Sequence, residues 1–245
     1  MTDWDRLFDE LYLKTYAAIQ RDEDAEPLAV GAMRLAGCEP PADVLDAACG
    51  YGRHARVLAG AGYCVVGLDR SPVLLAEARR RSEGAEWPNW VQGDYRELPF
   101  AAASFDVVVN LFTSFGFFGD EGDLQALTEF RRVLRHERML VLETLHRDRL
   151  LANFQAQDWV ELPDGALRLE RRAFDSVSGA CEVALTHWPK SGEPVTVTYR
   201  LRVYTPGELD RIAREAGFTE LEFYGDPEGG PLSRESRLLL VARTA

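Results

Sequence analysis

Residues 44–69, VLDAACGYGRHARVLAGAGYCVVGLD, hold a glycine-rich loop between two apolar runs. Val44–Ala48 reads as a buried strand, residues 53–60 as a helix and Cys64–Leu68 as a second strand. Two parallel strands cannot be joined by a hairpin and need a crossover, so this stretch commits the chain to an α/β architecture. Gly50-Tyr51-Gly52-Arg53-His54-Ala55 satisfies the G-x-G-x-x-G/A pattern, in which backbone amides at a helix N-terminus cradle a nucleotide. The loop alone does not say which nucleotide.

The alternation continues. Ser71 caps a helix that begins at Pro72. A third strand lies near Trp90–Gln92 and a fourth is Phe105–Leu111, an apolar run suited to burial on both faces. A helix over 122–135 and a strand over 139–144 follow. Upstream, Trp4, Leu7, Phe8, Leu11, Tyr12 and Thr15 recur at helical spacing, which predicts an amphipathic helix over 3–20. A second helix runs from about Glu26 to Leu35. After residue 157 the period falls to two. Val195, Val197, Tyr199, Leu201 and Val203 share one face, which predicts an antiparallel meander of about three strands. A helix over 206–216, capped by Thr205, and strands near 218–224 and 237–243 close the chain. The expected organisation is one domain, 1–245. Residues 1–36 form a helical cap, 37–157 and 204–245 the core, and 158–203 an inserted sheet over the substrate site.

Charge narrows the partners. The net charge is −12, whereas a nucleic-acid partner needs a basic face, so none is expected. Arg79-Arg80-Arg81 reads as helix C-terminal cations complementing the dipole. The four cysteines include no C-x-x-C and the four histidines have no ligand spacing, so no metal is expected. The polar start MTDWDRLFDE reads as no signal peptide, and no apolar run reaches membrane-spanning length. A cytoplasmic location is the expectation.

Three acidic residues discriminate between nucleotides. Asp46, at the mouth of the loop, repels a pyrophosphate and attracts an ammonium group. Asp69, at the end of the second strand, accepts ribose hydroxyls in either case. Gly93-Asp94, at the end of the third strand, offers an acceptor to an adenine amino group. With DAACGYG, GLDRS, GDYRELPF and FDVVVNLFTSFGFF in order, residues 44 to about 144 resemble the Rossmann-like S-adenosylmethionine-dependent methyltransferases. NLFTSFGFFGDEGD, ETLHRDRL, RLRVYTPGEL and YGDPEGGPL extend the likeness to bacterial small-molecule enzymes similar to aminosugar N-methyltransferases. The resemblance implies a seven-stranded sheet with helices on both faces and an inserted antiparallel meander. Two positions depart from the family pattern: Ala48 stands at the usual first glycine, and His136-Glu137 at a Pro-Gly-Gly turn before the fifth strand.

The resemblance implies S-adenosylmethionine as cofactor and S-adenosylhomocysteine as product. It assigns cofactor binding to Tyr16, Asp46, Gly50, Gly52, Arg53, Asp69, Arg70, Asp94, Tyr95, Asn110 and Leu111. Tyr51 and Arg53 either reach the carboxylate or face solvent, and Cys49 is read as packing. Tyr12 and Tyr16 either close over the methionine end or pack on the domain. Phe115, Phe117 and Phe118 either face the sulfonium or fill the core. His146, after the fifth strand beside Glu143, is the candidate base. Tyr16 and Tyr204 are the other candidate catalytic side chains. Asp226 and Glu228 either attract a cationic substrate or are solvated. The expected activity is methyl transfer to a small-molecule amine or hydroxyl, with a homodimer through the inserted sheet as a further expectation. RNA or protein methylation, or cofactor binding without turnover, are the alternatives.

Overall fold

Apolar runs bounded by turns become the strands of a parallel sheet. In the computed structural model, which describes residues 3–244, these are β1 (Asp43–Ala47), β2 (Cys64–Asp69), β3 (Asn89–Gln92), β4 (Phe105–Asn110) and β5 (Leu134–Thr144). They pair in parallel in the order β5-β4-β1-β2-β3. Successive side chains of a strand point to opposite faces. Leu45, Val108 and Leu140 therefore meet the helices Gly119–Val133 and Pro206–Glu215, whereas Val44, Val107 and Val141 meet Glu26–Leu35 and Arg53–Gly60.

The strand before the fifth crossover differs from its predicted start. β5 begins at Leu134, directly after the helix, rather than at residue 139. Phe105 pairs with Leu134 but Val107 pairs with Met139, so a bulge absorbs the extra residues. Glu137 takes a positive φ of 57° within it. The missing Pro-Gly-Gly turn is thus replaced by an irregular strand, at the end of the sheet away from the glycine loop.

The antiparallel part has one strand more than predicted. It comprises β6 (Gln157–Glu161), β7 (Leu167–Asp175), β8 (Ala180–Trp188) and β9 (Val195–Arg202), paired in sequence order. β6 was missed because its five residues carry only two apolar side chains, Trp159 and Val160. This sheet is bolted to the first at Gly116, whose carbonyl accepts the Arg202 amide at 2.8 Å. The last two strands, β10 (Phe218–Tyr224) and β11 (Leu238–Thr244), complete the first sheet at seven strands, with β11 antiparallel between β5 and β10.

The predicted helix over 3–20 is broken. Short α-helical pieces, Asp3–Arg6 and Tyr12–Thr15, flank a π-helical turn, Leu7–Leu11, in which Phe8 and Asp9 leave helical φ/ψ. The cause is that the apolar spacing serves two surfaces. Leu7 and Leu11 bury against Leu185 and Val197 of the second sheet, while Phe8 and Tyr12 turn toward a cavity. The Trp4 side chain, part of the same spacing, lies outside the described residues.

Candidate active site

A cavity of about 230 Å³ opens beyond the carboxyl ends of β1, β2, β3 and β4. Open parallel sheets bind ligands in this place. Its floor is Ala48–Tyr51, Asp69, Gly93 and Tyr95. Its far wall is the segment Leu111–Ser114 with Phe117, and its roof is Phe8, Tyr12, Tyr16, Tyr199 and Leu201.

The glycine loop is shaped by left-handed backbone at Ala48 (φ 64°), Gly50 (57°) and Gly52 (79°). Ala48 shows that a methyl group is tolerated in the turn. At Gly52 none is: a Cβ there would stand 2.2 Å from the Trp90 ring. Gly52 therefore sets the loop on Trp90 and starts the following helix, without lining the cavity.

Asp69 is fixed by two backbone amides. Its Oδ2 accepts from Gly50 at 2.8 Å and its Oδ1 from Ser71 at 2.9 Å. Ser71 in turn caps the next helix through Leu74 N–H. Each carboxylate oxygen keeps a lone pair for a hydroxyl. Burial raises the Asp69 pKa, opposed by those amides. Asp46 lies beneath the loop with Oδ2 buried and no hydrogen-bond partner. Burial, with the Asp69 charge second, pushes Asp46 up to about 7.

Tyr16, Gly50, Arg53, Asp69, Arg70, Tyr95 and Leu111 line the cavity, as do Tyr12, Tyr51, Cys49 and Phe117. Arg53 is buried, with its guanidinium 4.6 Å from the centre of the Phe112 ring. The other predicted residues sit outside. Asp94 is taken by Arg96, through the backbone amide at 2.9 Å and Nη2 at 2.7 Å, so only its neighbours Gly93 and Tyr95 face inward. Asn110 donates to the Ala47 carbonyl at 2.7 Å and ties β4 to β1.

Two candidate catalytic side chains are not at the cavity. His146 is 3% exposed, and its Nδ1 pairs with the Ser236 carbonyl at 3.2 Å. The strand that carries it ends two residues earlier, and the chain has by then turned away into the helix Arg147–Ala152. Tyr204 is 1% exposed and donates to Asp123 at 2.7 Å, with its ring against Phe115. Both Tyr204 and Phe115 are core. Phe118 packs on Tyr95 and under Arg96. Glu143 accepts from the Thr113 amide and from Arg237, and so pins the loop after β4. Asp226 closes its own turn by accepting from Glu228 and Gly230 amides.

Residues 44–137 match the family model described as a methyltransferase domain. The CcbJ methyltransferase of Streptomyces caelestis superposes with a TM-score of 0.80 over 96% of both chains, at 26% identity. Residues 44–137 are thus a methyltransferase domain within the chain. The chain is also 26% identical, over 90% of its length and 87% of the relative's, to a dTDP-3-amino-3,6-dideoxy-alpha-D-glucopyranose N,N-dimethyltransferase of Streptomyces fradiae. It shares its fold with a SAM-bound amino pentose methyltransferase from Micromonospora echinaspora (TM-score 0.72, 24% identity, 96% and 97% of the two chains covered). It spans about half, 52%, of the length of another curated relative, to which it is 35% identical over 136 residues.

The methyltransferase's cofactor is S-adenosylmethionine, and the residues present fit it. An orphaned buried carboxylate oxygen on Asp46, beneath the loop and not on the cavity wall, sets negative charge under the place of an ammonium group, and the free lone pairs of Asp69 suit ribose hydroxyls. Sequence reasoning missed Gln20, His54, Phe112 and the hydrogen-bonding role of Tyr199, all of which line the cavity. Gln20 accepts from Tyr51 at 3.0 Å. His54 was legible only as a letter inside the loop motif. Burial lowers its pKa to about 3, so it is neutral in the fold.

Proposed function

We infer that the protein methylates an amine or hydroxyl of a small molecule, an amino sugar being the acceptor class that its relatives suggest. The carrying observation is the change of character along one cavity. Backbone amides and Asp69 line one end, and the rings of Phe8, Tyr12, Tyr16, Phe117 and Tyr199 line the other. The first end suits the cofactor, and the second a compact acceptor with a polar head. Bound S-adenosylmethionine supplies a methyl on a sulfonium, and the aromatic faces are placed to favour a cation.

The chain's own part is positioning. Holding a nucleophile in line with the methyl carbon is worth up to roughly 7–11 kcal/mol. The one histidine on the cavity wall among the described residues, His54, holds a proton too weakly to act as a base near neutral pH. Tyr16 keeps its catalytic candidacy, because its ring and hydroxyl stand at the acceptor end. In the same reading the cofactor ribose rests on Asp69, its ammonium on the loop above Asp46, its adenine beside Gly93 and Tyr95, and its carboxylate toward Arg53, with Arg70 at the adenine side. The net charge of −12 disfavours RNA as acceptor. No helix among the described residues is long and apolar enough to cross a membrane, and a cytoplasmic setting suits a metabolic acceptor. A homodimer through the second sheet is supported by Trp159 and Trp188, 64% and 53% exposed on its outer face.

Titration calorimetry with S-adenosylhomocysteine and with NAD tests the cofactor half. Binding of the first and no heat from the second is expected, and Asp69→Ala should weaken it by about 1.5–3 kcal/mol, the loss of charged hydrogen bonds. Release of S-adenosylhomocysteine with a panel of amino and hydroxy sugars tests the acceptor half. NAD binding alone would return the loop to the dehydrogenases.

A further inference from the structure

Tyr16 and Tyr199 meet at the acceptor end of the cavity, with hydroxyl oxygens 3.0 Å apart. Behind them, on β7, lies Glu170, a buried residue. Tyr16 Oη stands 2.9 Å from Glu170 Oε1. Glu170 is held from the other side by Arg168, whose Nε is 3.1 Å from Oε1, and by a close contact of Arg172 with Oε2. The Arg168 guanidinium also covers the Tyr16 ring at 4.7 Å.

These contacts have only one consistent set of proton positions. A carboxylate between two guanidinium groups accepts and does not donate. The single Tyr16 hydroxyl proton therefore points to Glu170, the stronger, charged acceptor. Tyr16 cannot also donate to Tyr199, so Tyr199 donates to Tyr16. The Tyr199 oxygen is left with its proton committed and its remaining lone-pair capacity unused, since no described group donates to it. The wall at this point can accept a hydrogen bond and cannot give one.

The geometry points to a polarised chain, Tyr199 to Tyr16 to Glu170, that selects acceptors able to donate an N–H or O–H and holds an amine or hydroxyl, rather than a carbonyl, carboxylate or phosphate group, against Tyr199. Glu170 is the positioning residue: it touches no substrate and acts by fixing the direction of both hydroxyls. Neighbouring rings of Phe117 and Tyr12, with centroids 6.0 Å from Tyr199 and 5.5 Å from Tyr16, add faces suited to an ammonium. This rests on the acceptor end assigned above: the chain demands a donor, and the rings favour an amine over a hydroxyl.

The test uses the full chain with S-adenosylhomocysteine calorimetry, a turnover assay on paired amino and hydroxy sugars, and NMR of ¹³Cζ-labelled tyrosine. Tyr199→Phe leaves the Glu170 cluster intact, and Glu170→Gln reverses the chain by offering an N–H to Tyr16. For wild type, amino sugars should turn over in preference to their hydroxy partners. Both variants should raise KM for the amine at least tenfold while S-adenosylhomocysteine affinity stays within twofold. In Glu170→Gln the Tyr16 ¹³Cζ resonance should move and its ionisation should fall to lower pH, which a merely structural role would not produce. Unchanged KM in Tyr199→Phe overturns the inference, as does a preference for hydroxy sugars. If no panel member turns over, a Tyr199 resonance unmoved by every amine in the cofactor-product complex also overturns it. Failure to bind S-adenosylhomocysteine instead sinks the cofactor reading on which it rests.

Discussion

Two buried carboxylates tie the pH behaviour of the protein to single residues. Burial pushes both Asp46 and Asp123 up to about 7, against roughly 3.9 in an unfolded chain. A raised folded value means that the native state holds the extra proton. The stabilising share is present below pH 4 and is lost as pH rises through 7. Each group's share is at most about 4 kcal/mol. Denaturant unfolding without cofactor should therefore show stability falling between about pH 4 and 7, and Asp123→Asn should flatten that slope. Asp46 should behave oppositely toward a cationic ligand. S-adenosylhomocysteine affinity should drop by up to tenfold per unit below pH 7, and calorimetry on Asp46→Asn should show no such dependence. At this scale the cavity-lining positions of Gly50 and Asp69 were readable, because both are adjacent in sequence to the turns that aim them, whereas Asp46 lies buried beneath the loop. Tyr199, Tyr16 and Glu170 were not readable as a group: no local pattern shows that residues 154 positions apart share a hydrogen bond.

Elements were legible wherever one surface dictated their spacing. β1, β2 and β4 have both faces covered by helices, and their unbroken apolar runs say so. The 3–20 segment failed because its apolar residues answer to two surfaces, the second sheet and the cavity, which one straight helix cannot serve. The irregular start of β5 was invisible for a different reason, since register is a property of the pair and not of either strand. The contact between the two sheets has a sharp test at Gly116. Its φ is 108°, and a Cβ there would lie 2.3 Å from the Arg202 carbonyl oxygen. Gly116→Ala should destabilise the protein by roughly 2–5 kcal/mol from backbone strain plus overpacking. Denaturant melts would measure this, and a loss under 1 kcal/mol would mean that the sheets are less firmly coupled than the Arg202 contact implies.

For the whole molecule, the alternation of strand and helix followed by period-two runs was enough to order the two sheets, though not to count the second one. The outer face of that sheet carries Trp159 and Trp188, a large exposed aromatic area for a lone chain. Sedimentation equilibrium should give a dimer that Trp159→Glu disperses, with cofactor affinity unchanged because the cavity lies on the opposite face. The roof of the cavity comes from residues 7–20 and 199–201, parts of the chain nearly two hundred positions apart, whereas its floor comes from the ends of neighbouring strands. On the proposed reading, cofactor use and acceptor choice are written in separate parts of the gene. Exchanging the two roof segments together between relatives, as a matched pair, would retune what is methylated while the machinery that supplies the methyl stays as it was.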